Sequence, residues 1–253
     1  MLVLLYHIRI ARRRMNEKGK NIGWIVAVVV LIVGFLGIVI WRMADKKANQ
    51  VDYSKYDVNS IIAGNEDNGG IGDHVKGSAD APVVIYEYAD YQCSGCASAN
   101  PRVNKLLTEY DGKLAVVYRN FLLSYHQNGT AAASAAEAAG LQGYFKEYAD
   151  KLFANQSVWS SATGNSRTDM FVDLFRNVTG GEGDEEKFIA DMGSAEVKAK
   201  IDFDTGLSED LDIPGTPSFF LNGERIDLSN VSTEDEFMKL MREKIDAALK
   251  AAK

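Results

Sequence analysis

Apart from Cys93 and Cys96, the 253-residue chain contains no cysteine. That scarcity excludes a disulfide-rich scaffold, which needs several pairs to replace a core. A structural zinc site wants four nitrogen or sulfur ligands, and only His7, His74 and His126, scattered along the chain, could complete one. Haem attachment would call for histidine directly after the second cysteine, where Ala97 stands. Metal and cofactor are therefore not expected. A basic face is lacking too. The first 42 residues hold seven Lys/Arg against the single acid Glu17, and from Met43 onward the net charge is about -13. So acidic a body is a poor match for phosphate, and nucleic acid is not an expected partner. No repeat of solenoid period is evident.

Charge is missing altogether from Ile22 to Trp41. At about 1.5 Å per residue, a helix there would span roughly 30 Å, the thickness of a bilayer's hydrocarbon core. Trp24 and Trp41 lie near its ends, as indoles at a membrane interface do. A cleaved secretory signal would show a shorter apolar region and a small-x-small site, and "VIWRMADKK" offers no good one. The expectation is a basic cytoplasmic tail over 1–21, a transmembrane helix over 22–41 acting as an uncleaved anchor, and an extracytoplasmic body. Arginines and lysines before the span mildly favour that orientation; a start at Met15 would erase the bias, leaving the cysteine chemistry to decide.

Residues 42–76, rich in Gly, Asn and Asp, read as a flexible tether, and a domain is expected over 77–253. "PVVIYEYA" is a buried-strand candidate. "CASANPRVNKLLTEYDG" has helical spacing, and "KLAVVYRNFLL" is a second strand. A helical block over about 124–212 follows, then "TPSFFLNGERI" as two short strands around Asn222-Gly223. A capping box from Thr233 to Glu236 opens a last helix. Strand, helix, strand, helical block, hairpin, helix is the order of an α/β thioredoxin fold carrying a helical insertion.

Two thiols three positions apart, where a strand gives way to a helix, have a physical purpose. Unpaired N–H groups and the helix dipole stabilise a thiolate at Cys93, below the free value of about 8.5. Cys96, one turn along, can reach back to resolve a mixed disulfide.

From about Gly77 to Lys250 the chain resembles DsbA-like thiol:disulfide oxidoreductases, membrane-anchored bacterial members in particular. The resemblance rests on "YEYADYQCSGC", "RNFLLSYHQNGTAAASAAEAAGLQGYFKEYADKLF" and "GTPSFFLNG". It implies that Pro217 is cis and lies against the cysteines, and that Thr216 and Pro217, with Ser94 and Gly95, touch the substrate. It also implies that Glu87 is the buried acid of proton transfer. The chain departs from the family at Ser94-Gly95, which leaves the redox direction open, and at Leu122, where relatives often carry proline.

A plainer reading of Glu87 is a strand-edge or solvent-facing acid; His126 could face the active site, with a surface histidine near a helix start as its plainer reading. The Ala-rich run from Ala131 to Ala139 reads as a closely packed helix. Asn-x-Ser/Thr triplets at Asn128, Asn155, Asn177 and Asn230 carry no claim of glycosylation. The expected function is an extracytoplasmic oxidant of cysteine pairs in exported proteins, reoxidised by a membrane partner, as the resemblance implies. The alternatives are a reductase or isomerase of the same fold, and a chaperone-like binding module.

Overall fold

The computed structural model of the chain describes residues 28–40 and 51–252. The expected basic tail, the ends of the expected span and residues 42–50 lie outside them. Helix α1 covers 28–40, and its apolar side chains, Leu31, Val33 and Phe35 among them, are largely exposed. Among the described residues no helix is long and apolar enough to cross a membrane.

The compact unit runs from Tyr53 to the C-terminus. Its sheet has the order β1-β3-β2-β4-β5, with β1 at His74–Gly77, β2 at Val83–Ala89 and β3 at Leu114–Asn120. Strands β4 (Ser218–Leu221) and β5 (Glu224–Arg225) complete it. β2 and β3 run parallel, joined by helix α2 (Ser94–Glu109), while β1 and β4 flank them antiparallel. Parallel central strands buried on both faces require near-continuous apolar runs, which is why β2 and β3 read so plainly in the sequence. The β4–β5 turn places Asn222 and Gly223 at φ 52° and 81°, the two left-handed positions of a tight hairpin. Helix α9 (Glu234–Ala251) opens with both halves of its capping box formed.

One core lies between the sheet and helices α2 and α9, from Val83, Ile85, Val103, Leu106, Phe219, Phe237 and Ile245. The other belongs to the insertion: α3 (Gly129–Gly140), α4 (Phe145–Ala154), α5 (Gln156–Trp159), α6 (Gly164–Thr179), α7 (Glu185–Met192) and α8 (Ala195–Asp210). Six alanines of α3 are wholly buried there, beside Tyr148, Trp159, Phe171, Phe175 and Phe188. Small side chains let neighbouring elements come close: a Cβ on Gly140 would stand 2.8 Å from the His74 ring.

The expected tether over 42–76 is corrected from Tyr53 onward. Residues 53–73 form two 3-10 turns, and β1 follows them into the sheet. The polar residues that read as linker make specific bonds. Asn65 and Asn68 cap one another across a turn closed by Gly69 at φ 66°. The anchor is Arg119, fully buried in β3. Its guanidinium donates to the carbonyls of Val58 (2.8 Å) and Ser60 (2.9 Å), to Tyr88 Oη (2.9 Å) and to both oxygens of Asp73 (2.8 and 3.3 Å). Tyr86 Oη donates to the Asn59 carbonyl at 2.6 Å. Such a strap is invisible to periodicity, because its partners lie about 60 residues away along the chain.

Burial works against charge on Asp73, but Lys200 and Arg119 outweigh it and hold the carboxyl below its ordinary range. Removing one partner of a buried pair typically costs about 3–5 kcal/mol. Arg119→Met is accordingly expected to lower stability by about that much. Urea unfolding should register the loss, and limited proteolysis should cut first within residues 53–73.

Candidate active site

Strand β2 ends at Ala89, and a short turn delivers Cys93 to the N-cap of α2, with its N–H bonded to the Asp90 carbonyl at 3.0 Å. The Cys93 carbonyl accepts the Ala97 N–H at 3.1 Å, so the helix begins at the cysteine. Cys96, one turn inside, is wholly buried against the insertion core, while Cys93 is half-buried. The Thr216–Pro217 peptide bond is cis. Cys93 Sγ lies 3.4 Å from the Thr216 carbonyl oxygen, which brings together residues 123 apart in sequence. Gly95 makes that approach possible. A Cβ there would stand 3.1 Å from Pro217 Cδ and 3.6 Å from Cys93 Sγ. Ser94 is exposed, and its hydroxyl has no hydrogen-bond partner among the described residues.

The two thiols are pushed in opposite directions. Cys93 is pulled down to about 5, chiefly by a hydrogen bond with Cys96; partial burial opposes this, while Thr216 and the backbone N–H groups of Cys96 and Gly95 assist. The expectation named the helix N-terminus as the cause, and its N–H groups do contribute; the larger influence is the partner thiol. Cys96 is pushed far up, first by burial, then by its contacts with Cys93 and the charge of Glu87.

Glu87 sits in the middle of the sheet on β2 and is 3% exposed. The solvent-facing reading is thereby excluded. Burial raises its carboxyl to about 7 against the pull of Lys76, and Asp150 adds to the rise. Lys76 itself is held by Asp150 (2.6 Å) and Asn100 (3.0 Å), and Glu87 Oε1 has no hydrogen-bond partner among the described residues. A buried carboxyl near neutrality, beside a thiol that resists ionisation, can hold a proton and release it.

His126 is not the surface histidine expected. Its Nδ1 lies 2.9 Å from Asp90 Oδ2. Asp90 is wholly buried and also accepts from the backbone N–H groups of Gln92 (2.8 Å) and Leu123 (2.9 Å). Three amide residues to which the sequence reading gave no role connect the same turn to the insertion. Gln92 Oε1 accepts the Asn128 N–H at 2.6 Å, and Gln92 Nε2 donates to the Ser160 carbonyl at 3.0 Å. Asn128 Nδ2 also donates to the Ser160 and Ala162 carbonyls, both at 2.9 Å. Gln156 Nε2 donates to the carbonyls of Tyr91 (2.7 Å) and Cys93 (3.0 Å). Single polar residues at turns and helix ends leave no periodic trace, so only the proximity of Asp90 and Gln92 to the cysteines pointed here. Among the described residues no group of three or more His, Cys, Asp or Glu is placed to hold a metal ion.

A two-thiol helix start facing a cis-proline on a five-stranded sheet is the arrangement of a thioredoxin-type domain. The chain belongs to the thioredoxin family, whose sequence pattern it matches over residues 70–243. Its fold is shared with BdbD from Bacillus subtilis at TM-score 0.59 and 21% identity, over 76% of this chain and all of that one. The thiol-disulfide exchange protein alpha-DsbA2 from Wolbachia pipientis aligns at TM-score 0.54 and 19% identity, over 69% of this chain and 86% of that one. At such identities the likeness is one of fold, and its structural neighbours are of the DsbA-like oxidoreductase type. In sequence, 158 residues are 34% identical to part of a Na(+)/H(+) antiporter NhaA 1 from a Mycobacterium species, covering 60% of this chain. The chain spans about a quarter of that relative's length, 24%.

Two outcomes are expected from the opposed environments. Iodoacetamide labelling of the reduced protein should go to Cys93 with a midpoint near pH 5, leaving Cys96 unreacted; early labelling of Cys96 would reverse the assignment. Glu87 has a raised folded-state pKa, so its cost to stability is absent below its unfolded value of about 4.3 and grows as pH rises through 7. Glu87→Gln should therefore leave stability near pH 4 unchanged and raise it at pH 8 by on the order of 3–4 kcal/mol. Denaturant titrations at the two pH values measure the difference.

Proposed function

We propose that the chain is a thiol:disulfide oxidoreductase that oxidises cysteine pairs in exported proteins through Cys93 and Cys96. The carrying observation is the Cys93 sulfur, half-buried at the head of α2 and 3.4 Å from the carbonyl that precedes the cis-proline. In the oxidised form a substrate thiolate attacks Cys93 Sγ, the accessible sulfur. The Cys93–Cys96 bond breaks, and Cys96 departs with the electron pair. Because burial opposes a Cys96 thiolate, that sulfur must gain a proton, and Glu87 is the buried carboxyl suited to supply it. A second substrate thiolate then attacks the substrate sulfur of the mixed disulfide and releases Cys93 as thiolate. The substrate has lost two electrons and the cysteine pair has gained them.

A stabilised Cys93 thiolate favours the reduced pair, so the disulfide is a ready electron acceptor. This supports the oxidant reading over the reductase alternative. A surface groove of about 320 Å³ beside Thr216 and Pro217, lined also by Pro214, Arg225, Asp227 and Leu228, offers room for an extended substrate segment. The Thr216 and Pro217 backbone is the contact proposed for it, with Ser94 and Gly95 at the exposed head of the helix.

We further propose that residues 22–41 anchor the protein as a single transmembrane helix, with the catalytic domain extracytoplasmic and a membrane redox partner withdrawing the electrons. The supporting features are the charge-free run from Ile22 to Trp41 and a dithiol function, since disulfides persist in oxidising compartments.

With Cys96→Ala, mixed disulfides between Cys93 and exported proteins should accumulate in cells. A trapped set confined to cytoplasmic proteins would overturn the location, and no trapping at all would favour the binding-module alternative. Equilibration with glutathione gives the direction, each tenfold step in the constant being about 30 mV.

A further inference from the structure

We propose that Gln156 is a positioning residue for thiol–disulfide exchange, reaching from the helical insertion to hold the peptide groups around Cys93 so that the first N–H groups of α2 face its sulfur. One side-chain nitrogen serves two carbonyls, Tyr91 O at 2.7 Å and Cys93 O at 3.0 Å. An amide NH2 carries two hydrogens, so both bonds can be satisfied together. The Cys93 carbonyl also takes the Ala97 N–H at 3.1 Å, which uses both of its lone pairs. Across a planar trans peptide the C=O and the following N–H point in opposite directions. Fixing the Cys93 carbonyl therefore fixes the Ser94 N–H and, through the helix it opens, the Gly95 and Cys96 N–H groups that support the thiolate. Carbonyl oxygens engaged by a donor also present less negative potential to the neighbouring sulfur.

Gln156 is placed firmly enough to do this. It begins α5, whose Trp159 is wholly buried, donates from Nε1 to the Leu152 carbonyl at 2.8 Å and packs on Phe171. Asp90, Gln92 and Asn128 brace the turn just before the cysteine; Gln156 is the side chain that reaches the Cys93 carbonyl itself. Through it the insertion, beyond covering the sheet, bears on the nucleophile.

The inference rests on Cys93 being the attacking thiol, and the two claims separate experimentally. Mass mapping of the first-labelled cysteine tests the nucleophile, while the position of its pH profile tests Gln156. Gln156→Met keeps length and volume and removes the donor. Losing hydrogen bonds of ordinary strength should cut the Cys93 thiolate fraction at pH 4.5 roughly three- to tenfold, read by thiolate absorbance and alkylation rate. The glutathione equilibrium should move toward the disulfide by a similar factor. Gln156→Lys, which restores a donor, should keep the profile at or below that of the unaltered protein. A folded Gln156→Met with an unchanged profile would overturn the proposal. So would Met and Lys variants that both raise the midpoint, since damage to packing alone acts in one direction. If Gln156→Met does not fold, Gln156→Ala takes its place in the same comparison.

Discussion

The site depends on keeping one sulfur anionic at the head of a helix while its partner, three residues on, stays protonated in the core. A free cysteine, with a pKa of about 8.5, is mostly protonated at neutral pH, so the anionic sulfur has to be made by its surroundings. The fold meets the first by ending β2 where α2 begins, so that backbone N–H groups and the Cys96 thiol converge on Cys93. It meets the second by packing Cys96 against the insertion core beside Tyr91, Tyr118 and the alanines of α3. A single α-helical turn separates the two environments, and the chemistry follows from that difference.

Holding such a turn requires more than the helix itself. On one side the Thr216 carbonyl and Pro217 close against Gly95, where a Cβ would be tight against Pro217. On the other, Gln156 of the insertion donates to the Tyr91 and Cys93 carbonyls, and the buried Asp90 gathers Gln92, Leu123 and His126. The Ala-rich helix α3 matters for the same reason. Its small residues allow the insertion to lie close to the sheet, and its one buried acid, Glu137, is met by His74 (2.6 Å) and Asn120 (2.7 Å). Asn120 in turn bonds Asp204, whose other oxygen meets Lys200. Buried charge is costly unless paired, so this chain of contacts sets the insertion's position on the sheet edge closely.

The strap at residues 53–73 shows the same economy with polar groups. Arg119 emerges from a mostly apolar strand and collects two carbonyls, a tyrosine and an aspartate. A guanidinium has five donors in a planar fork, which is what a segment without regular structure needs to be held. The consequence is that the domain begins at Tyr53, 24 residues before residue 77, where composition alone would start it.

What the amino-acid sequence determined by itself was whatever is local or periodic. The two apolar parallel strands, the amphipathic helices, the Asn222-Gly223 turn, the Thr233 capping box and the cysteine pair at a strand-to-helix junction are all written in short stretches. Their order suffices for a thioredoxin fold with an inserted helical block. The family resemblance in "GTPSFFLNG" and "YEYADYQCSGC" also implied Pro217 against the cysteines and Glu87 as a buried acid. Tertiary structure alone decided the pairing of His126 with Asp90, the hold of Gln156 on the Cys93 carbonyl and the fastening of residues 53–73 by Arg119. Local propensity acts over a few residues and leaves a pattern. A buried hydrogen bond between positions 60 or 120 apart leaves none until the chain has folded.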